Sequence, residues 1–417
     1  MELLVTSFLQ IMKNRALAVL MLGHFSNDML GGVLPILFPL MKLQYGLTNA
    51  QLGLVTLAFT AMSSLTQPIF GYFSDKYGRR WFVPITLIWG ACFASAYGFA
   101  TGFAMFIILA GLAGIGSGAF HPLGASNAAA VSGDENRNAA MSWYTVSGAV
   151  GYGLGPLIGT ALLAAFGAHG TIWLLIPGFT AAALIWSQMH VVERARAARA
   201  AINRGLDAQP AWGIVSRIIL ISMTRSWVFL SVLQLSPIWY AELGFDRAFY
   251  GTLATVIIVS GAVGTLFGGN FADRFGQRRI IASSLALTIP ALLIYAAFPG
   301  PQALILGAIF GFFCDASISV TLVMAQKLVP GRVGIASGVI LGLGFVTGGI
   351  GVPITGRLAD LFGMQIALSS LVVMLIAGTL LTFTLPVTAA EVRAETQPDH
   401  TTRGSGNDRP AATGARR

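Results

Sequence analysis

Residues 71–80 of the chain, Gly71-Tyr-Phe-Ser-Asp75-Lys-Tyr-Gly78-Arg79-Arg80, recur as residues 269–278, Gly269-Asn-Phe-Ala-Asp273-Arg-Phe-Gly276-Gln-Arg278. The two aspartates are 273 − 75 = 198 residues apart, and Pro156 and Pro353 keep nearly the same spacing, 353 − 156 = 197. A pattern that recurs at a nearly constant offset indicates an internal structural repeat. Each copy follows a long apolar run, so the chain is expected to fold as two halves of matching layout.

The apolar runs predict that the chain crosses a membrane many times. Hydrophobic residues make up 55% of the 417 residues and charged residues only 10%, whereas soluble domains carry about 25% charged residues. A bilayer core of about 30 Å needs roughly 20 apolar residues per helix. Twelve such runs predict an all-α membrane protein, with helices near 15–40, 49–73, 81–99, 102–129, 137–166, 171–190, 212–240, 248–271, 279–298, 302–327, 333–358 and 364–386.

The repeat and the polar segments divide the chain into four parts. We predict an N-terminal six-helix bundle over 1–190, a cytoplasmic linker over 191–211, a C-terminal six-helix bundle over 212–386 and a disordered cytoplasmic tail over 387–417. Two parallel halves of this kind predict a repeat axis along the membrane normal. The tail is rich in Gly, Arg, Thr and Asp, a composition typical of disorder.

The basic residues predict the orientation. Lys and Arg occur in the loops after predicted helices 2 and 8 and in the linker, and the loops after helices 3 and 9 carry neither. Because Lys and Arg accumulate in cytoplasmic loops, we expect the even-numbered loops and both termini in the cytoplasm and the protein in the inner membrane. The net charge of +9 therefore reflects topology, and no nucleic-acid partner is predicted.

Several kinds of chemistry lack support in the sequence. Cys92 and Cys314 lie far apart and give neither metal-ligand spacing nor a disulfide framework. The sequence contains no Gly-x4-Gly-Lys-Ser/Thr loop for phosphates, no His-Glu-x-x-His motif and no nucleophilic serine elbow. We therefore predict no enzyme activity, no metal and no cofactor, with an ion gradient as the energy source.

The loop at 71–80 resembles the motif between helices 2 and 3 of the major facilitator superfamily, and the resemblance covers nearly the whole chain up to Pro386. Two segments resemble the fosmidomycin-resistance group of exporters within it, Gly23-His24-Phe25-Ser26-Asn27-Asp28 and Phe120-His121-Pro122-Leu123-Gly124-Ala125. The resemblance implies two six-helix bundles around a cavity lined by helices 1, 4, 7 and 10. It also implies a monomer in the lipid bilayer that carries a small molecule.

The repeated loop is predicted to act as a gate. Its residues are Gly71, Asp75, Gly78, Arg79 and Arg80 in the first half and Asp273, Gly276 and Arg278 in the second. Glycine permits close helix approach and tight turns. Asp75 can accept hydrogen bonds from the N-terminal amides of a nearby helix and pair with an arginine of its loop. Such a latch would close the cytoplasmic side in one state. In the alternative interpretation, the charges of the loop only determine the membrane topology and the glycines only form a turn.

Predicted helix 5 carries a glycine pattern, Gly151, Gly155, Pro156 and Gly159, that resembles a motif of drug–proton antiporters in the superfamily. The family pattern ends in two glycines, and Thr160 stands at the second of those positions. Antiport and simple glycine-mediated packing are both open interpretations. Many drug antiporters also carry an arginine in helix 4, and residues 100–131 contain none. Proton coupling must therefore use other groups.

Five ionisable residues lie in the interior of the predicted helices, well away from the helix ends: His24, Asp28, His121, Arg225 and Asp315. A charge at the bilayer centre costs at least a few kcal/mol, so such residues are rarely accidental. All five lie on predicted helices 1, 4, 7 and 10, the cavity helices of the resembled family. Together they predict a polar transport path.

Each of the five has a predicted role. His24 and Asp28 share one face of helix 1, and a carboxylate stabilises a protonated imidazole, so the pair is expected to exchange a proton or to anchor helix packing. Asp315 is a second proton site or the counter-ion of Arg225. His121 binds substrate, carries a proton or bonds the carbonyl freed by the proline that follows it. Arg225 lies about 20 Å into its helix, which suggests an anionic substrate or a buried partner such as Asp28 or Asp315.

Polar and aromatic neighbours are expected to join His121 and Arg225 in the substrate site: Asn27, Trp143, Tyr144, Trp227 and Gln234. The whole pattern predicts a proton-coupled exporter of small, anionic organic molecules that works by alternating access. A phosphonate antibiotic fits the resemblance. The alternatives are a proton-coupled uptake symporter for a nutrient anion and a membrane sensor or scaffold that binds a ligand without moving it.

Overall fold

The computed structural model describes residues 12–77, 81–132, 137–200, 211–328 and 333–386. Within these ranges the chain forms helices and no strands. The helices of the first half are α1 (Arg15–Tyr45), α2 (Asn49–Tyr77), α3 (Phe82–Ser95), α4 (Phe103–Val131), α5 (Arg137–Phe166) and α6 (Leu175–Ala200). Short 3₁₀ turns follow α3 at Tyr97–Phe99 and precede α6 at Ala168–Leu174.

The second half repeats this layout. Its helices are α7 (Trp212–Glu242), α8 (Arg247–Phe275), α9 (Gln277–Ala297), α10 (Ala303–Asp315 and Ile318–Leu328), α11 (Val333–Phe362) and α12 (Met364–Ser370 and Val372–Thr382). Over the described residues, eleven spans are long and apolar enough to cross a membrane, and the 30-residue α11 is the twelfth helix of this length. The predicted all-α membrane fold with two six-helix bundles is confirmed.

The packing of the helices follows the repeat. In the first bundle α1 packs on α5, α2 on α4 and α3 on α6, and in the second bundle α7 packs on α11, α8 on α10 and α9 on α12. The two bundles meet through two equivalent pairs, α2 with α11 and α5 with α8. In the apolar 18-residue segment of each span, 72% of the residues are buried in α1 and in α7, and 33% in α12. Helices α1 and α7 therefore lie near the centre of the molecule.

Several helix boundaries differ from those predicted. Helix α6 continues to Ala200, so the first ten residues of the predicted linker are helical. Hydropathy locates the membrane boundary, and an Ala- and Arg-rich helix has good propensity to continue beyond it. Helices α10 and α12 were expected to be continuous, but α10 is interrupted at Ala316 and Ser317 and α12 at Leu371. Apolar composition alone does not report such breaks.

The three glycines of the predicted helix 5 motif, Gly151, Gly155 and Gly159, face α1. An added Cβ at Gly151 would meet the backbone of Phe25, one at Gly155 would lie 2.7 Å from the Cα of Gly32, and one at Gly159 would lie 3.0 Å from Val33. Glycines at every fourth position thus let α1 and α5 approach backbone to backbone. Pro156 and Thr160 instead lie toward Gly251 of α8. The structure therefore supports the packing interpretation, and the antiport interpretation of the motif stays a prediction.

Much of the predicted gate falls outside the described residues. Gly78, Arg79 and Arg80 lie in the gap at 78–80, and for Gly71, Asp75 and Asp273 only the helical backbone is described. In the second copy, Gly276 ends α8 with a φ of 91°, the left-handed region that favours glycine. The Arg278 guanidinium lies 5.6 Å from the ring centroid of Phe383. The tight turn is thus present in the second copy, and the latch stays a prediction.

Candidate functional site

Three of the five ionisable residues form one cluster, the His24–Asp28–His121 cluster, between α1 and α4. Nε2 of His24 lies 3.3 Å from Oδ2 of Asp28, and Nε2 of His121 lies 3.6 Å from Oδ1 of the same carboxylate. The i, i+4 spacing on α1 produces the first contact. The second depends on how α1 and α4 pack. The exposed fractions of the His24, Asp28 and His121 side chains are 10%, 18% and 34%, so His121 is the most accessible group.

The hydrogen bonds of His24 determine where its hydrogen atoms lie. Nδ1 is 2.8 Å from the carbonyl oxygen of Tyr144, which can only accept, so Nδ1 must carry a hydrogen. In the neutral imidazole, Nε2 would then direct a lone pair at Asp28. Because a lone pair and an ionised carboxylate repel each other, this contact is favourable only when a proton lies on His24 or on Asp28.

Neighbouring residues hold the cluster in place. The Asn27 side-chain amide donates to Oδ1 of Asp28 at 2.9 Å, and the Tyr144 ring stacks on His24 with centroids 4.4 Å apart. Gly148 of α5 leaves the necessary space, since an added Cβ would lie 2.6 Å from the His24 ring. Tyr144 and Asn27 were predicted as substrate-binding residues. In the structure Asn27 contacts Asp28 and Ser117, and Tyr144 contacts His24, so their contact with substrate stays a prediction.

The other two ionisable residues form a separate pair in the second bundle. Nη1 of Arg225 lies 2.6 Å from Oδ1 of Asp315, and Nη2 donates to the hydroxyl of Ser226 at 2.9 Å. Their side chains are 13% and 9% exposed, so the pair is largely desolvated. Of the partners considered from the sequence, Asp315 is thus the one found at Arg225.

Asp315 lies at the interruption of α10. The carbonyl oxygens released there accept hydroxyl donors from neighbouring helices: Thr265 donates to Asp315 O at 2.9 Å and Ser284 to Phe313 O at 2.6 Å. An interrupted helix inside a membrane is tolerated only when its freed backbone groups are satisfied in this way. Interrupted helices in transporters often lie at the binding site.

The two charged sites occupy equivalent depths. Asp28 and Arg225 each lie thirteen residues after the first residue of their helices, at 28 − 15 and 225 − 212, which is about 20 Å at 1.5 Å per residue. Their separation of 225 − 28 = 197 residues equals that of Pro156 and Pro353. The repeat therefore places an acidic cluster and a basic residue at matching positions in the two bundles.

The remaining predicted substrate residues have different surroundings. Trp227 of α7 donates its indole N–H to the Thr355 hydroxyl at 3.2 Å and packs where Gly351 leaves room on α11. Trp143 packs against the hydrophobic core of the first bundle. Gln234 is 4% exposed, and its Oε1 has no hydrogen-bond partner among the described residues. Their contact with substrate stays a prediction.

Polar contacts between the bundles lie at one end of the molecule, which we call the odd-loop end because it holds the loops after the odd-numbered helices. The backbone N–H groups of Asn49 and Ala50 at the start of α2 donate to the Asp360 carboxylate of α11 at 2.9 and 3.0 Å. Lys42 of α1 pairs with Glu242 of α7. The hydrogen bonds that the structure describes between the bundles lie at this end, and they include one from Nη1 of Arg247 to the carbonyl oxygen of Leu163 at 3.3 Å. The sequence gives no signal for these contacts, because charged residues at helix ends are common for reasons of topology alone.

The cluster also has the composition of a metal site. Histidine nitrogen and carboxylate oxygen bind transition metals, and the ligand atoms of His24, Asp28 and His121 all lie within 4.8 Å of one another. One proton between His24 and Asp28 already makes their contact favourable, so the cluster needs no ion. The absence of a metal stays a prediction.

Comparison with known proteins identifies the family. The model of the Major Facilitator Superfamily matches residues 20–246 and 218–411. The chain belongs to the Major Facilitator Superfamily. It is therefore a multi-pass membrane transporter and not an enzyme, as the sequence predicts.

Two relatives of this superfamily transporter match most of its length. It is 30% identical to the fosmidomycin resistance protein of Escherichia coli (strain K12) over 359 residues, covering 82% of this chain and 86% of that protein. It is 31% identical to the uncharacterized MFS-type transporter YfnC of Bacillus subtilis (strain 168) over 385 residues, covering 89% and 92%. The resemblance to the fosmidomycin-resistance group is thus confirmed.

Solved structures of superfamily transporters share the fold. A bacterial homologue of the human lysosomal transporter spinster, in an inward-facing and occupied conformation, matches with a TM-score of 0.75 at 17% identity, over 90% of this chain and 97% of that one. A D-xylose–proton symporter matches with a TM-score of 0.68 at 16% identity, over 92% and 99%. At these identities the likeness concerns the fold alone.

Proposed function

We propose that this transporter exports a small organic anion of the phosphonate class across the inner membrane in exchange for protons, by alternating access. The observation that carries proton coupling is the His24–Asp28–His121 cluster. It lies deep in the first bundle, and its central contact is favourable only with a proton bound. Export and the substrate class are supported by the 30% identity to the fosmidomycin resistance protein.

The distribution of charge supports different roles for the two sites. Arg225 is compensated by Asp315 at 2.6 Å, so an anion reaches the guanidinium only by displacing that carboxylate. His121 is the most exposed group of its cluster, and its imidazole carries an N–H that can donate to an anion even when the ring is neutral. We therefore place first contact with the anion at His121 and regard Arg225 as a second contact that opens when Asp315 moves away.

The contacts at the odd-loop end support alternating access. The predicted orientation puts this end outside the cell. With the bundles joined there through Asp360 and through Lys42–Glu242, the two charged sites are closed to the outside. A substrate for export would enter from the cytoplasm in this state, and separation of the odd-loop contacts would release it.

Uptake by proton symport is the second candidate. One observation favours it: adding protons to the His24–Asp28–His121 cluster makes it more positive, and a more positive cluster attracts an anion. Protons and substrate would then bind together and move in the same direction. Export by exchange instead requires that protons leave when the substrate binds.

Proton counting separates the candidates. When fosmidomycin binds to the purified transporter in weakly buffered detergent solution, we expect protons to be released, as measured with a pH-indicator dye. Proton uptake on binding would contradict export and favour symport. Binding with no flux into proteoliposomes would favour the sensor alternative. The same titration of Asp28→Asn serves as the control, because this variant lacks the acidic partner of both histidines.

The Asp360→Asn variant tests the closed odd-loop end. The neutral amide loses the charge-assisted bonds to the α2 N-terminus, whose amides and dipole favour an anion by about 1–2 kcal/mol. We therefore expect the open population to rise about 5- to 30-fold. Distances between spin labels at the exposed positions 43 and 243 report this opening.

Asp246→Asn is the matched control for this experiment. Asp246 also accepts from a helix N-terminus at the odd-loop end, the Phe249 N–H at 2.8 Å, but that helix is in its own bundle. Equal opening in the two variants, or none in Asp360→Asn, would contradict a role for Asp360 in joining the bundles.

A further inference from the structure

A small cavity lies in the first bundle and is lined by residues of α1, α2, α3 and α4 and by Tyr97. Its volume is about 10 Å³, which is the size needed to hold one water molecule. Most of its wall is apolar, but Asn27, Tyr97 and Ser117 also line it. We call it the Tyr97 cavity. It lies next to Asp28, because Asn27 both lines the cavity and donates to the Asp28 carboxylate.

The Tyr97 hydroxyl is an unusual feature of this cavity. The side chain is completely buried, and within the described part of the chain its oxygen has no hydrogen-bond partner. A buried hydroxyl without a partner is costly, and the great majority of such groups in proteins are satisfied by protein or by ordered water. A phenylalanine would fill the same apolar wall without this cost.

The three polar groups can satisfy one water molecule completely. The Asn27 amide N–H groups donate to Asp28 at 2.9 Å and to the Ser117 oxygen at 3.4 Å, so Oδ1 of Asn27 is left as an acceptor. The hydroxyl hydrogens of Ser117 and Tyr97 are left as donors. A water molecule that accepts from both hydroxyls and donates to Asn27 makes three hydrogen bonds, the usual number for a buried water.

We propose that the Tyr97 cavity is a hydration site and that Tyr97, acting through its water and Asn27, is a positioning residue for Asp28. The role in transport rests on the proposed function, in which Asp28 binds the coupling proton. The water fixes the Asn27 side chain, and Asn27 then holds its N–H on the carboxylate. A hydrogen bond to the ionised carboxylate favours that form, so disorder of Asn27 makes Asp28 easier to protonate.

Other ionisable groups also surround Asp28, and all of them stay in place in this proposal. They are His24 on α1, His121 on α4, and the hydroxyls of Tyr144 and Tyr152 on α5. A variant at Tyr97 changes none of them directly. A change in the pH dependence of transport therefore reports the link through Asn27.

The Tyr97→Phe variant tests the proposal, because it removes one oxygen and keeps the ring. If the hydroxyl binds water, the melting temperature of the purified protein falls by a few degrees. The pH midpoint of substrate exchange in proteoliposomes also moves to higher pH, by about half a unit. If the hydroxyl has no partner, its removal leaves the melting temperature unchanged or raises it, and the hydration site is overturned.

Two further measurements complete the test. Thr255→Val is the control, since it removes a buried hydroxyl of α8 that also has no partner among the described residues and does not line the cavity. It should neither lower the melting temperature nor move the midpoint. A lower melting temperature in Tyr97→Phe with an unchanged midpoint overturns the positioning role alone. Exchange by the unmodified protein that is independent of pH would refute the proposed function, whereas the melting temperature would still test the hydration site.

Discussion

Proton-driven transport falls to the level of empty vesicles when Asp28 is replaced by Asn, while exchange of substrate for substrate continues. The isosteric amide keeps the size of the side chain but cannot hold the proton that the His24 contact requires. Removing one partner of a buried charged pair costs about 3–5 kcal/mol. The same free energy corresponds to a loss of more than about 100-fold in the affinity of the His24–Asp28 contact for its proton. Efflux from vesicles with and without a pH gradient, beside counterflow without one, measures the two activities.

Counterflow is the decisive half of this experiment. A variant that has merely misfolded loses both activities, whereas a variant that has lost only its proton site keeps the exchange reaction. Asp246→Asn, the same substitution at the exposed N-terminus of α8, should keep proton-driven transport. Gradient-driven efflux by Asp28→Asn at the normal rate would remove Asp28 from the coupling mechanism.

Single replacement of Arg225 by Gln destabilises the folded transporter, and a second replacement of Asp315 by Asn restores much of the loss. The two side chains are only 13% and 9% exposed and lie 2.6 Å apart. Either residue alone would leave an uncompensated charge inside the membrane, at a cost of about 3–5 kcal/mol. The doubly neutral variant leaves no charge and keeps two groups that can hydrogen-bond to each other.

Thermal unfolding in detergent of the two single variants and of the double variant measures this coupling. We expect each single variant to melt several degrees lower than the double variant. Additive losses would show that the two residues stabilise the protein independently. A stable double variant that transports nothing would indicate that the charges are also needed for substrate binding. Recovered transport would limit the pair to a structural role.

The sequence identified much of the candidate site because charge is so rare inside apolar helices. His24 and Asp28 could be paired from their spacing alone, since residues four apart share a helix face. The position of His121 beside Asp28 could not be predicted in this way, because it depends on the rotation of α4 against α1. The sequence likewise left Arg225 with two possible carboxylates, and only the packing of α7 against α10 places it on Asp315.

The contacts at the odd-loop end show a different limit. Lys42, Glu242 and Asp360 lie near helix ends, where charged residues are common for reasons of topology. Their pairing across the bundles depends on the conformational state as well as on the fold. The order of residues along the chain therefore does not predict it. The interruption of α10 is similar. Its residues are apolar enough to continue a helix, and hydroxyls from α8 and α9 satisfy the backbone groups that the break releases.

The recurrence of residues 71–80 at 269–278, together with the apolar runs, determined the fold class and its two-bundle repeat, because period and hydropathy are local properties of the chain. The sequence also determined which five residues bring charge into the membrane. The tertiary structure decided how those residues are grouped, with Asp28 between two histidines and Arg225 on Asp315. Contacts between distant segments depend on helix rotation and depth, which are set only when the helices pack against one another.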